Sequence, residues 1–144
     1  MKNQGFSQSD LVISLATLSI IASVAVPSFT QNSRTVSRSD AIETLLEISM
    51  QQERFFSQYN HYSCNLVKEL NRGSKLSKKG YYTISMDPTS PCPNAKSYTA
   101  RATVMNSGDR KQNTICHTLS LSNLGIKSAK DTDSNDTTNQ CWVN

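Results

Sequence analysis

The sequence predicts an α+β protein: one long N-terminal helix, about residues 6–59, packed by its C-terminal half on a four-stranded antiparallel sheet. Three observations carry this reading. No glycine stands between residues 6 and 72, and Pro27 is the only proline before residue 88, so only that ring interrupts a helix over this stretch. Over residues 40–60, apolar side chains recur with helical spacing. Beyond residue 80, short runs alternate apolar and polar residues between turn signals, as half-buried antiparallel strands do.

The first half of the helix is set by its apolar character. Residues 11–33 carry no charge, and Leu11–Phe29 holds thirteen apolar residues among nineteen. At ~1.5 Å per residue, nineteen helical residues span roughly 28 Å, close to a bilayer core of ~30 Å. Ser14, Thr17, Ser19, Ser23 and Ser28 interrupt the run; such small residues suit close approach of helices. No small-x-small cleavage site closes it, so it does not read as a secretory signal peptide. Pro27 removes a backbone donor and is expected to bend the helix. The amphipathic second half places Ile42, Leu45, Leu46 and Phe56 on one stripe, with Ala41, Ile48, Phe55 and Tyr59 beside it. The whole helix would be ~80 Å long.

Residues 60–80 read as a polar loop. Tyr81–Met86, Ser97–Met105 and Thr114–Leu121 read as strands, with breakers at 87–94 and 106–109. Gly125 turns the chain into a short fourth strand, Ile126–Ala129. The tail 130–140 is polar and reads as a solvated loop that needs an anchor.

If the apolar helix stands apart, about 85 residues remain for a compact head, a size at which burial alone is marginal and covalent staples help. Four cysteines, Cys64, Cys92, Cys116 and Cys141, are separated by 27, 23 and 24 residues. Zinc sites show closer ligand pairs, so this spacing points to disulfides in an oxidising compartment. Three connectivities are open. Cys116–Cys141 and Cys64–Cys92 are expected, because one would dock the tail with Trp142 and the other would pin the loop after the helix. The net charge of +4 is too small to argue for nucleic acid by itself.

The N-terminus resembles the type IV prepilin signal. Gly5 would end a short basic leader, and Phe6 would be the first mature residue. Asp10 falls at the fifth mature position, where the family usually has Glu, and Pro27 at the twenty-second. The C-terminal Cys116-x-Thr-Leu119, Gly125 and Cys141-Trp142 look like those of E-type minor pilins. The resemblance covers essentially the whole chain, although 61–95 carries no specific motif. It implies the pilin fold, with a leader at 1–5, a membrane-spanning, filament-core half-helix at 6–33 and a head at 34–144. It further implies cleavage between Gly5 and Phe6 by a prepilin peptidase and N-methylation of Phe6. Residence would be in the inner membrane with the head in the periplasm, followed by assembly with other pilins, through an inner-membrane platform, into an extracellular filament. Roles in adhesion, motility or DNA uptake follow from the family. Ser7-Gln8-Ser9 makes the first turn polar, which suits a low-copy subunit.

Asp10 has two readings. It caps the helix from Leu11, or it pairs with the ammonium that cleavage creates on Phe6, in its own chain or a neighbour, which offsets the cost of placing a carboxylate beside an apolar helix. Lys68, Arg72, Lys75, Lys78 and Lys79 form a basic cluster. It is either a solvated loop face or a contact to DNA, with Tyr81 and Tyr82 beside it as aromatics that could stack on bases. The two histidines, His61 and His117, make no catalytic spacing; His117 neighbours Cys116, but adjacent strand residues face opposite ways. No metal or cofactor is expected: Asp131, Asp133 and Asp136 lack the glycine and terminal glutamate of a calcium loop. Against the pilus subunit stand a pseudopilin of a type II secretion system and a membrane-anchored DNA-binding module.

Overall fold

A computed structural model describes residues 8–88, 92–105 and 115–142, with the side chains of 9–11 and 17–33 outside that description. Helix α1 runs Gln8–Tyr59. Four strands follow, β1 Tyr82–Pro88, β2 Tyr98–Val104, β3 Thr118–Ser122 and β4 Lys127–Lys130, and then a short helix, α2 Thr138–Cys141. The strands form one antiparallel sheet in the order β1-β2-β3-β4. The chain divides into two compact units, Met1–Thr35 and Val36–Asn144.

In the first unit, Val12, Ile13 and Leu15 are 64, 62 and 59% exposed. Among the described residues no helix is long and apolar enough to cross a membrane; most of the expected span, Leu11–Phe29, falls on side chains outside the description. Gly5 and Phe6 also lie outside the described residues, as do the side chains of Asp10 and Pro27. The backbone at both Asp10 and Pro27 is helical.

In the second unit, α1 packs on the sheet through a single core. The helix contributes Ala41, Leu45 and Ile48, and the sheet contributes Tyr82, Ile84, Tyr98, Ala100, Ala102, Leu119, Leu121 and Ala129. Alternation puts these strand residues on one face; β2 reads buried at every second position from Tyr98 to Val104. The register sets Ile84 opposite Ala102 and Ala100 opposite Leu121, so small residues face large ones. The helix stops where Asn60 turns left-handed at φ 57°, its N–H bonding to the Phe56 carbonyl at 2.8 Å. Asparagine tolerates that conformation and commonly ends helices.

Several expectations are corrected. Leu46 and Tyr59 are 44 and 57% exposed; the buried stripe of α1 instead takes in Ser37, Asp40, Thr44 and Gln52, Asp40 and Gln52 finding partners in the following loop and Thr44 at the Asp40 carbonyl of its own helix. The 60–80 segment is not simply polar, since Tyr62, Leu66 and Leu70 enter the core. β1 reaches Pro88. β3 begins only at Thr118, which leaves Cys116 and His117 in a turn. The Cys116 carbonyl accepts from the Tyr82 hydroxyl at 2.8 Å, and its sulfur is bonded to Cys141, which draws it out of the ladder and removes the thiol a Cys/His pair would need.

The tail is ordered rather than freely solvated. Asp131 accepts hydrogen bonds from the N–H groups of Asp133 and Asn135 at 2.9 and 2.8 Å. Thr137 donates its N–H to the Ala129 carbonyl, and Ala129 donates to the Thr138 hydroxyl, so this segment covers the outer edge of β4. Trp142 donates its Nε1–H to the Ser128 carbonyl at 2.9 Å, with Lys127 5.4 Å from its ring.

Candidate nucleic-acid interface

The basic cluster lies on the α1–β1 loop, residues 60–81, which is fastened at several points. Gln52, fully buried on α1, clasps the Ser63 main chain from both sides: Nε2 donates to the Ser63 carbonyl and Oε1 accepts from its N–H, both at 2.9 Å. A glutamine amide presents two N–H donors and a carbonyl acceptor, so it meets both main-chain groups of Ser63 as a neighbouring strand would, and Nε2 also lies 2.8 Å from Met86 Sδ. The Cys64–Cys92 disulfide joins the loop to the segment before β2. Tyr62 exchanges a bridge with Ala95, packs edge-on against Tyr98 at 4.8 Å and donates to Glu53; burial, and then that carboxylate, push its phenol pKa up. At the far end Lys79 donates its N–H to the buried Asp40 carboxylate at 3.0 Å.

The structure divides the five cations. Lys78 Nζ lies 2.7 Å from Glu43 and 3.6 Å from Glu47. The hydrogen bond to Lys78 holds the Glu43 carboxyl below its usual range, and the same bond holds Lys78 above its own. Arg72 is 3.8 Å from Glu47 and donates to the Leu76 carbonyl. Lys68, Lys75 and Lys79 are exposed and form no ion pair among the described residues. Lys68 and Lys75 share the wall of a cleft of about 520 Å³ between the 64–68 segment and the edge of β1. Two charges are therefore spent on the helix, and three face outward.

Tyr82 is fully buried and cannot stack on a base; Tyr81 is half-buried. Sequence reasoning missed Glu43, Glu47, Gln52 and Asp40. The i, i+4 spacing of Glu43 and Glu47 puts them on one face, but which loop cations they meet depends on tertiary placement. A second disulfide, Cys116–Cys141, closes the C-terminal segment onto the turn before β3.

Among curated proteins none matches the chain. A protein-family model described as type IV minor pilin ComP, DNA uptake sequence receptor, matches residues 27–120. The match runs from within α1 into β3 and includes the whole basic loop. It covers well over half of the chain and accords with a helix packed on a four-stranded antiparallel sheet, so the chain belongs to this type IV minor pilin family.

Proposed function

We propose that the chain is a minor subunit of a type IV pilus that serves DNA uptake, its α1–β1 loop meeting the phosphate backbone through Lys68, Lys75 and Lys79. The observation that carries this reading is the set of lysines that form no ion pair among the described residues, on a loop fastened by Gln52, Asp40 and a disulfide, in a chain of the DNA-uptake minor pilin family. Arg72 and Lys78 serve as struts to Glu47 and Glu43 and contribute less. A pilin acts by structure and binding, not turnover.

The same reading places the chain in the inner membrane, head in the periplasm, before an assembly platform extrudes it into an extracellular filament. A prepilin peptidase cuts after Gly5, and Phe6 is methylated. Asp10 then pairs with the new ammonium and sets the register between subunits. The exposed Val12, Ile13 and Leu15 support a helix that needs lipid or other helices around it.

The test is duplex-DNA binding by the full chain in detergent across a salt series. Each neutralised phosphate contributes about −0.9 to the slope of log K against log salt. Lys68→Gln with Lys75→Gln should flatten the slope by about 1.8. Glu43→Gln should steepen it by releasing Lys78. A slope unmoved by both variants would remove this loop from the DNA contact.

A further inference from the structure

The edge of β1 is only partly closed. Main-chain groups of alternate residues on an edge strand point away from the sheet. The Tyr81 carbonyl faces β2, where it accepts from Met105 N–H, and the Ile84 N–H faces outward, where it donates to the Lys75 carbonyl at 2.6 Å. Ser77 closes the edge at Tyr82 in the same way. By the unbroken register from Tyr82 to Pro88, the Ile84 carbonyl and both main-chain groups of Met86 also point outward. Among the described residues no main-chain partner meets them. Pro88 has no N–H to extend the row, so the open stretch is short. It borders the cleft whose wall carries Leu66, Val67, Ile84 and Met86 together with Lys68 and Lys75.

We propose that this open edge takes a short extended peptide segment of a partner protein by strand addition, with a carboxylate of that segment meeting Lys68 or Lys75. Two carbonyls and one N–H in strand spacing call for a partner that both donates and accepts, which a peptide main chain does. A phosphate backbone only accepts, so DNA leaves the carbonyls unmet. The two lysines, which form no ion pair among the described residues, select an acidic segment. This goes beyond DNA binding and does not rest on it: Lys68 and Lys75 are shared with that reading, so peptide and DNA would compete for them, and the main-chain groups of the edge are what only a peptide meets.

The test is residue-resolved amide exchange on the full chain in detergent. The probe is a pool of pentapeptides of the form Asp-Val-X-Val-Asp, with X randomised. In the free chain, the Met86 amide should exchange quickly and the Ile84 amide slowly. Saturating peptide should slow Met86 at least about tenfold, the factor that corresponds to ~1.4 kcal/mol, and leave Ile84 unchanged. Met86→Pro, tolerated on an edge strand, should lose the pool; Lys68→Glu with Lys75→Glu should lose it while keeping the fold. Four results would overturn the proposal: a Met86 amide already protected in the free chain, a pool that binds the variants as well as the parent or does not bind the parent, protection that grows with chain concentration alone and so puts a second copy there, or equal protection of Met86 by duplex DNA.

Discussion

Gln52→Met is the sharpest perturbation of the loop that carries the cations. Methionine has nearly the shape of glutamine and keeps the site filled, so the change isolates the hydrogen bonds. Gln52 and Ser63 are both fully buried, and the variant leaves the Ser63 N–H and C=O without their 2.9 Å partners. Each buried unsatisfied group costs about 1–3 kcal/mol. Replacing a buried amide by a thioether returns part of this, so the net loss should be about 3 kcal/mol. With ~2.1 cal/mol/K of unfolding entropy per residue, the unit Val36–Asn144 should melt about 13 °C lower. The assay is near-UV circular dichroism, which follows the packed tyrosines rather than the long helix, combined with amide exchange at Ser63. The Ser63 amide should change from protected to fast. A melting point within 2 °C of the parent, with Ser63 still protected, would refute the view that Gln52 anchors this loop.

Other outcomes follow from the same structure. Replacing Cys116 and Cys141 together by Ser opens a loop with a sequence separation of 25; the chain-entropy model puts the cost at ~3.5 kcal/mol, and limited proteolysis should then cut after β4 while the sheet survives. Asp131 and Asp136 are held below their usual carboxyl range, the first by the Asn135 side chain and the second by Thr138. A carboxyl whose folded pKa is depressed contributes its full stability above the unfolded value and loses it as pH falls through the folded one. Trp142 fluorescence should therefore be steady above the ordinary carboxyl value of 3.8 and report loosening of the tail only below it. Gly5→Val should leave the leader uncut by mass spectrometry. Asp10→Ala should insert in the membrane normally yet fail to enter filaments; because the helix already runs through Asp10 from Gln8, a cap there is not the alternative, and normal incorporation would leave Asp10 without a part in assembly.

The helix was legible in the sequence because only Pro27 interrupts a long glycine-free stretch. The strands were legible because their alternation is regular. The limits of that reading are physical. Hydrophobic periodicity placed Leu46 on the buried face, whereas the structure buries Thr44 and Gln52 there, since a polar group with partners is cheap to bury. The alternation running through Cys116 suggested an earlier start to β3, and no local signal showed that the Tyr82 hydroxyl would take the Cys116 carbonyl. The five basic residues were plain, but their division into two struts and three outward charges depends on Glu43 and Glu47, over thirty positions earlier for Lys78. The tail looked soluble by composition; its order comes from the Asp131 turn and from backbone bonds to Ala129, which composition does not record.

The two sheet edges show how the fold distributes its open surface. An exposed edge invites pairing, and proteins usually blunt it. At β4 the blunting is thorough: Thr137 and Thr138 take the main chain of Ala129, and a disulfide at Cys141 keeps them there. At β1 the Lys75–Ser77 segment closes the start of the strand and then leaves it, so among the described residues the Ile84 carbonyl and both main-chain groups of Met86 stay open, beside two lysines that meet no carboxylate there. Mobility of the loop does not account for the gap, because Gln52, Asp40, the Cys64–Cys92 bridge and the buried Leu66 and Leu70 all hold the loop in place. A loop fastened this firmly loses little further entropy when something binds to it. The open edge and these two lysines therefore read together as a preorganised surface, and the closed edge across the sheet shows that the fold can seal such a row.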